Sequence, residues 1–394
     1  MRTSVFFIGA VFPEELDGYF EKNYYKNPDV SSLIYGRKLV SAFEKMLPPG
    51  ELTVFSLPQV GTYPNASKKE YVTFETKRTD YVPVNYHCHR FIKHLSQAHA
   101  LKKALRNSFA SLRGEDRIKI VVGAAYFPYL LALKPFKKKF KDRLTVTTLV
   151  LDLPEYVGIS ANRLNPISLL KRAYISSSYS LLDKVSDNFV LLSPSMREKN
   201  AIANHKSVVC YGLSDQKNLI QCQKKPGKLV FVGKLSPENE IRAMVDAFML
   251  TQDESYTFDI VGDGCEMPYV QEAAKKDSRI IVHGFLSPKN ANEIRKQASS
   301  IIALRCQDKQ SAYAFPSKLI AALGYNVPII SLDLPLYQGT VRECLLLTKT
   351  NSPKEIAKLI DDSLQKPEID VDSRRKFLAE VNNEELAKKI LKGF

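Results

Sequence analysis

The sequence predicts an α/β protein with two doubly wound, Rossmann-like domains. Short apolar runs alternate with longer helix-like segments along the chain, which is typical of parallel sheets covered by helices on both faces. A polar stretch that ends in Pro226-Gly227 interrupts this alternation near the middle, and a new apolar strand follows it. The 394 residues, 44% of them hydrophobic, are enough for two cores of ordinary size.

The alternation places each expected element in order. In the first half we expect strands at 4–9, 52–55, 118–122, 144–149, 189–192 and 208–211, with helices near 31–46, 90–112 and 166–184. In the second half we expect strands at 229–232, 257–261, 280–282, 301–304, 328–331 and 345–347. The pattern predicts an N-terminal domain at 1–215, a C-terminal domain at 216–372, and C-terminal helices at 373–394 that pack back toward the first domain.

Composition argues against a secreted or membrane-spanning protein. The apolar runs are shorter than the roughly 20 residues that a spanning helix needs. The first apolar run is followed by Pro13-Glu14 without a small-residue cleavage site, so we expect a buried strand there and no signal peptide. The six cysteines lack C-x-x-C or zinc-ligand spacing, which is typical of reduced thiols in a cytoplasmic protein.

The net charge of +15 lies mostly in the first 215 residues. Its densest part contains Lys137, Lys138 and Lys139 between two phenylalanines, which is a pattern suited to an anionic membrane surface. A solvated helix face is the alternative interpretation. No nucleic-acid-binding signature accompanies the basic residues, so we expect no nucleic-acid partner.

Three turns in the second half carry residues that suit a phosphate. Each leads toward a helix signal and combines glycine, serine or lysine, so backbone N–H groups and a cation could meet an anion there. We expect them to bind an anion the size of a nucleotide. The turns contain Gly233-Lys234, Gly262-Asp263-Gly264 and Ser317-Lys318.

These turns resemble motifs of the family 4 glycosyltransferases. Residues 229–236 resemble the "F-V-G-R/K-L" opening of that family's donor domain, and 259–264 resemble its "I-V-G-D/E-G" turn. Residues 315–319 resemble the "F-P-S-K-L" block of a subgroup active in bacterial surface polysaccharide synthesis. The resemblance implies the GT-B fold, in which two Rossmann-like domains face a central cleft.

The resemblance also implies roles for the donor-side residues. Lys234 and Lys318 would stabilise the departing diphosphate, since lysine, arginine and helix N-termini must meet that charge when no metal does. Gly262, Asp263 and Gly264 would border the base or ribose, and Ser317 would cap a helix that faces phosphate. A solvated loop lysine, a tight turn and a cap without a ligand are the respective alternatives.

On the acceptor side, residues 151–156 resemble a "D-L-P-E-Y" segment of the same subgroup. Asp152 and Glu155 follow a predicted strand and could orient an acceptor hydroxyl or stabilise positive character at the sugar. For Asp152 the alternative is a helix cap or turn residue. His87 and His89 lack a third ligand nearby, so the sequence predicts no metal and no cofactor.

The sequence departs from the family pattern at several ligand positions. Where the family has a second donor-site lysine, this chain has Asn239 between two glutamates. The family's paired glutamates correspond to Tyr313 and Ala321, and its following glycine to Asn326. Either the nucleotide is held otherwise, with main chain and Arg305 or Glu343 as the candidates, or the donor site is degraded.

The resemblance implies a retaining, metal-independent glycosyltransferase, and the phosphate-type turns and the basic first half agree with it. It would move a sugar from a nucleotide-sugar donor to a lipid-linked saccharide acceptor in surface polysaccharide or capsule synthesis. We expect it to be cytoplasmic and peripheral on the inner face of the cell membrane. The alternative is a non-catalytic GT-B subunit or scaffold that partners an active glycosyltransferase.

Overall fold

The structure is a computed structural model, and it describes residues 3–24, 31–112, 116–155, 166–203, 205–308, 311–313 and 315–394. Two compact units make up the chain. Unit 1 contains Met1–Leu213 and Asn383–Phe394, and unit 2 contains Ser214–Asn382. Tyr156, the last residue of the predicted acceptor-side motif, lies outside the described residues.

The strands of the described residues follow the predicted order. In unit 1 they are β1 (Thr3–Gly9), β2 (Leu52–Ser56), β3 (Tyr71–Val72), β4 (Tyr81–Pro83), β5 (Tyr86–His87), β6 (Arg117–Val122), β7 (Leu144–Val150), β8 (Asn188–Leu191) and β9 (Lys206–Val209). In unit 2 they are β10 (Lys228–Val232), β11 (Thr257–Val261), β12 (Ile280–Gly284), β13 (Ser300–Ile302), β14 (Ile329–Leu332) and β15 (Leu346–Thr348).

The α-helices of the described residues lie between these strands. In unit 1 they are α1 (Asp17–Asn23), α2 (Ser31–Met46), α3 (Lys93–Ala110), α4 (Phe127–Phe140), α5 (Pro166–Val185) and α6 (Asn200–Ala203). In unit 2 they are α7 (Ile241–Met249), α8 (Met267–Lys276), α9 (Pro288–Arg295), α10 (Ser317–Leu323), α11 (Thr340–Glu343), α12 (Pro353–Gln365) and α13 (Val371–Glu380). The last helix, α14 (Asn383–Lys392), belongs to unit 1.

Each unit contains one parallel sheet with flanking helices, so the predicted fold class is confirmed. Within the described residues, the strand order is β4-β2-β1-β6-β7-β8-β9 in unit 1 and β12-β11-β10-β13-β14-β15 in unit 2. In each sheet the chain first adds strands on one side of a central strand, β1 or β10, and then crosses over to add strands on its other side. Parallel strands gather their carboxyl ends at one edge of the sheet, and in doubly wound sheets ligands bind outside that edge.

Burial explains why the predicted strands formed. Along β1, β8 and β14 nearly every side chain is buried, because helices cover both faces of a parallel sheet. The short β3, β4 and β5 were not predicted. Tyr71 and Tyr81 lie on strands of only two or three residues, and such strands are too short to show a period.

The two C-terminal helices belong to different units. In α14, Leu386, Ala387 and Ile390 join the hydrophobic core of unit 1. In α13, the buried Arg374 guanidinium donates hydrogen bonds to four backbone carbonyls of unit 2, those of Leu323, Tyr325, Val327 and Cys344. A cation can be buried there because those carbonyl dipoles replace its hydration.

Two helices of unit 2 begin with a side-chain cap. Ser287 precedes α9, and its hydroxyl accepts a hydrogen bond from the Asn290 N–H at 3.3 Å. At α13 the carboxylate of Asp370 accepts hydrogen bonds from the N–H groups of Asp372 and Ser373. In the described part of the chain, no helix combines the length and the hydrophobicity that spanning a bilayer requires.

Candidate functional site

The predicted donor-side residues of unit 2 lie at one edge of its sheet. Gly233 and Lys234 follow β10, and Gly262 follows β11, which pairs with β10 in parallel. Arg305 follows the other neighbour of β10, the strand β13. Because these strands are parallel, their carboxyl ends bring the Lys234 loop, the Gly262 turn and Arg305 to the same edge.

Lys318 extends from the first turn of α10 into this edge. Its ammonium nitrogen donates to Asn239 Oδ1 at 2.6 Å and to the Leu304 carbonyl at 2.7 Å. It also lies 5.2 Å from the centroid of the Phe231 ring. Burial, assisted by the nearby positive charge of Arg305, lowers the pKa of the Lys318 ammonium to about 7. An ammonium has three donors, so one N–H of the protonated form remains for an anion.

Asn239 connects the two lysines of the site. Its amide nitrogen donates to the Lys234 carbonyl at 2.7 Å, while its amide oxygen accepts from Lys318. The side chain is buried, so both amide groups need such partners. The residue that departs from the family's lysine is therefore a structural part of the same site.

Lys234 and Arg305 supply the more accessible positive charge. The Lys234 side chain is exposed and Arg305 is half-buried. Glu238 lies in the same loop. A hydrogen bond with Ser236 lowers the pKa of its carboxyl, and the positive charges of Lys234 and Arg305 lower it further. Lys234, Arg305 and Lys318 thus share this edge with the carboxylates of Glu238 and Asp263, and the three cations can meet an anionic ligand there.

Gly262 and Gly264 are required by the packing of two loops. A Cβ on Gly262 would lie 1.8 Å from the Gly233 carbonyl oxygen, and one on Gly264 would lie 2.1 Å from that of Leu235. Between them, the exposed Asp263 accepts a hydrogen bond from the Leu235 N–H through its backbone carbonyl. The neighbour that approaches these glycines is thus the loop that carries Lys234.

Ser317 does not cap α10, contrary to the prediction. It is the first residue of the helix, its side chain is exposed, and the cap position belongs to Pro316, which has no side-chain hydrogen bond. Ala321 lies one turn further along and is also exposed. Since residues four apart share a helix face, Ser317 and Ala321 face outward while Lys318 faces the site.

The other departures from the family pattern have local explanations. Asn326 accepts a hydrogen bond from the Cys222 N–H at 2.7 Å and donates to Gln221 at 2.6 Å, which fixes the start of unit 2.

Glu343 does not replace the missing ribose-binding glutamate. It lies shortly before β15 begins, at the edge away from Lys318, and accepts a hydrogen bond from Ser373.

Unit 1 has a cavity of about 320 Å³ at the carboxyl ends of its strands. Gly9 ends β1, Gly123 follows β6 and Leu151 follows β7, and all three line this cavity. Asp152 lines it as well, with an exposed side chain. This is the edge at which doubly wound domains bind ligands.

The cavity has polar side chains that sequence reasoning missed. Lys93 is buried at its wall and donates to the Val60 carbonyl at 2.7 Å, and burial lowers the pKa of its ammonium. Gln59 donates to the hydroxyl of Tyr129 at 3.3 Å across the same wall. The helical period of α3 could have predicted the burial of Lys93, because it puts this residue on the same face as the buried Gln97 and Leu101.

Glu155 is not beside Asp152 in this cavity. It lines a separate depression, where its carboxylate pairs with Lys199 at 3.0 Å and accepts from the Tyr179 hydroxyl. Burial by itself raises the pKa of the Glu155 carboxyl, but the hydrogen bonds from Tyr179, a backbone N–H and Lys199, together with the charge of Lys199, lower the pKa below its ordinary value. Glu155 thus has the contacts of a structural ion pair, and of the two carboxylates only Asp152 lines the cavity.

The three lysines predicted to face a membrane end helix α4. Lys137 is engaged inside unit 1, where its ammonium donates to both oxygens of Asp187 and to the Leu144 carbonyl. Lys138 and Lys139 are exposed. Leu144 is the first residue of β7, so these lysines lie at the edge opposite to the cavity. Among the described residues, no group of three or more His, Cys, Asp or Glu could hold a metal ion.

Comparison with protein families identifies the second half of the chain. Residues 215–384 match the model of the family described as glycosyl transferases group 1. They include the donor-side turns of unit 2. Comparison with curated proteins gives no sequence match.

Solved structures resemble the whole chain in fold. The lipopolysaccharide outer core galactosyltransferase WaaB, in its apo form, has a TM-score of 0.59 at 12% identity over 99% of both chains. Sucrose-phosphate synthase from Thermosynechococcus elongatus has a TM-score of 0.64 at 14% identity, over 100% of this chain and 98% of that one. Anabaena HepE in complex with UDP has a TM-score of 0.57 at 11% identity, over 100% and 97%.

At such identities the structural likeness concerns the fold alone, and that fold is the one of the GT-B glycosyltransferases. The chain therefore has the GT-B fold, and its residues 215–384 match the glycosyl transferases group 1 family, which supports a glycosyltransferase.

Proposed function

We propose that this chain transfers a sugar from a nucleotide-sugar donor to a lipid-linked glycan precursor, with retention of configuration and without a metal. The donor binds at the strand-end edge of unit 2, and the acceptor enters the cavity of unit 1 that Asp152 lines. Retention, the acceptor class and a place in surface polysaccharide synthesis rest on the resemblance to family 4 motifs.

One observation carries the donor half of the proposal. Lys234, Arg305 and Lys318 converge on one edge of the sheet, although they come from three separate segments. Positive charges collected from distant parts of a sequence cost electrostatic self-repulsion, and an anionic ligand relieves it. A diphosphate is the anion that departs in transfer from a nucleotide sugar.

The three cations would act differently during transfer. Lys234 and Arg305 offer positive charge to the diphosphate. Lys318, whose ammonium has a pKa of about 7, takes up a proton when a phosphate lies beside it, because a nearby anion favours the charged form. The negative charge that develops on the leaving diphosphate therefore favours the protonated form of Lys318, which binds the diphosphate more strongly. Binding that is stronger in the transition state than in the ground state lowers the activation barrier of transfer.

Two structural relatives support a nucleotide-sugar donor. HepE from Anabaena has been solved in complex with UDP, with UDP and glucose, and with UDP-glucose. The pneumococcal O-GlcNAc transferase GtfA has been solved in complex with UDP and GlcNAc, and it has a TM-score of 0.53 with this chain. Both are similar in fold, so they favour the donor class without naming the sugar.

The decisive experiment replaces Lys234. Lys234→Ala should lower kcat/KM for the donor. The corresponding loss of transition-state stabilisation should be on the order of 2–4 kcal/mol, which is typical of removing one hydrogen-bond donor to the transition state. The exposed Lys276 at the end of α8 is a matched control, and Lys276→Ala should leave kcat/KM unchanged. Wild-type turnover by Lys234→Ala would refute the role of Lys234.

A second candidate function has its own supporting observation. Asn239 and Ala321 occupy positions at which the family has ligand-binding side chains, so this chain could serve as a non-catalytic subunit beside an active glycosyltransferase. GtfA and GtfB, which have been solved as a complex, offer a structural relative with a TM-score of 0.50. Calorimetry with UDP, GDP and CMP separates the two functions. Heat of binding with at least one nucleotide supports the enzyme, and none with any supports the subunit.

A further inference from the structure

Three large apolar side chains of unit 1 face solvent at the start of α3. Phe91 is 73% exposed, Ile92 45% and Leu95 64%. On the opposite face of the same helix, Lys93, Gln97 and Leu101 are buried. The apolar side chains therefore lie on the outer face, where folding does not need them, and contiguous exposed apolar side chains commonly mark an interaction site.

The chain segment that contains these side chains has basic residues and no acidic ones. Residues 81–114 contain no aspartate or glutamate. The Arg90 guanidinium lies 4.5 Å from the centroid of the Phe91 ring. Further along α3, Lys103 and Arg106 are exposed. Apolar side chains at one end of a helix and cations along its outer face form the pattern of a segment that lies on an anionic bilayer.

The position of these residues relates them to the cavity. Lys93 lines the cavity that Asp152 also lines, and Ile92 precedes it directly in the chain. The exposed side chains therefore begin one residue away from a residue that lines the cavity of unit 1. Lys138 and Lys139 lie at the other edge of the sheet, roughly 20 Å away along the seven residues of β7.

We propose that Arg90, Phe91, Ile92 and Leu95, here called the Phe91 patch, seat unit 1 on an anionic lipid bilayer. The three apolar side chains enter the boundary between headgroups and acyl chains, and Arg90 stays at the headgroups. The inference deepens the proposed function and rests on it only for the lipid character of the acceptor, which the patch would bring to the cavity mouth.

Size and charge favour a bilayer over a second copy of the chain. The patch exposes an apolar area on the order of 300 Å², whereas a stable protein interface buries about 800 Å² on each partner. Two copies that met through this patch would also bring Arg90 and the basic outer face of α3 against their equivalents. Like charges across an interface are unfavourable, but they suit a surface of anionic lipids.

The absence of tryptophan from the chain allows a direct test. Phe91→Trp puts one fluorophore in the patch, and Phe285→Trp puts one at a side chain of unit 2 that is 81% exposed. With vesicles of phosphatidylcholine and phosphatidylglycerol, emission from the Phe91→Trp variant should shift to the blue and be quenched by brominated acyl chains, whereas emission from the Phe285→Trp variant should not respond. An equal response of both variants, or none from Phe91→Trp, would overturn the proposal.

A sedimentation assay completes the test. Phe91→Ser with Leu95→Ser should reduce binding to the anionic vesicles about tenfold or more, and Lys138→Gln with Lys139→Gln should reduce it far less. If the Lys138→Gln, Lys139→Gln variant lost more vesicle binding than the Phe91→Ser, Leu95→Ser variant, the proposal would be wrong and the membrane-binding surface would lie at the end of α4. Loss of a dimer, in place of vesicle binding, would identify a second copy as the occupant. These assays need no donor or turnover, so the proposed function can fail while the patch stands.

Discussion

The amide oxygen of Asn239 accepts a hydrogen bond from the ammonium of Lys318 at 2.6 Å. This contact joins the loop after β10 to the first turn of α10. A second lysine at position 239 would place another cation against Lys318, whose pKa burial and Arg305 already lower. The asparagine instead offers a neutral acceptor, and Arg305 supplies the further positive charge of the site.

We expect Asn239→Ala to weaken nucleotide binding and to destabilise unit 2. The substitution removes the acceptor that orients Lys318 and the donor that holds the Lys234 carbonyl. Leaving a buried partner unsatisfied costs about 1–3 kcal/mol. Calorimetry with nucleotides and urea unfolding measure the two effects. The exposed Asn351, which donates to Glu240, is the control. Equal effects of Asn351→Ala would show that position 239 has no special role.

We expect Lys318 to make stability depend on pH. Its pKa is about 7 in the folded protein and 10.5 ordinarily, so below about pH 7 the folded state carries the full cost of a buried charge. Between about pH 7 and pH 9 the unfolded state holds more protons, and the free energy of unfolding rises by up to about 1.4 kcal/mol per pH unit from this group.

Lys318→Met isolates this contribution because it removes the titrating group and keeps an unbranched side chain that is only one atom shorter. The difference in unfolding free energy, wild type minus variant, should increase as the pH rises from about 7 to about 9. Urea unfolding at several pH values measures it. A difference that stays constant, or falls, over this range would mean that Lys318 remains charged in the folded protein.

The fold was largely predictable from sequence, because parallel sheets covered on both faces produce continuous apolar runs. The strand β11 was predicted at its observed bounds, Thr257–Val261. The contact of Asn239 with Lys318 was not predictable, since it joins residues 79 positions apart. Asp152 and Glu155, three residues apart, line different depressions, and a motif does not reveal which way each side chain turns.

We expect Gly262→Ala to destabilise unit 2 strongly. The new Cβ would lie 1.8 Å from the Gly233 carbonyl oxygen, and Gly262 has a φ of 145°, which side chains rarely adopt. Since one loop must move, we expect a loss of about 2–4 kcal/mol in unfolding free energy. Gly18→Ala is the control, because a Cβ there meets no atom within 4 Å, and it should be neutral or stabilising. A near-neutral Gly262→Ala would show that the two loops separate easily.

The two carboxylates of the predicted acceptor motif, Asp152 and Glu155, should respond differently to amide substitution. Asp152 lines the cavity of unit 1, so Asp152→Asn should lower turnover by about 10²-fold or more if its charge assists the reaction, with little effect on stability. Glu155 pairs with Lys199 and Tyr179, so Glu155→Gln should cost about 1 kcal/mol of stability and leave turnover nearly intact. Both variants are nearly isosteric, so steady-state kinetics and urea unfolding compare charge alone. If Glu155→Gln abolished turnover and Asp152→Asn did not, Glu155 would be the acceptor-side carboxylate and its pairing with Lys199 would have to open during the reaction.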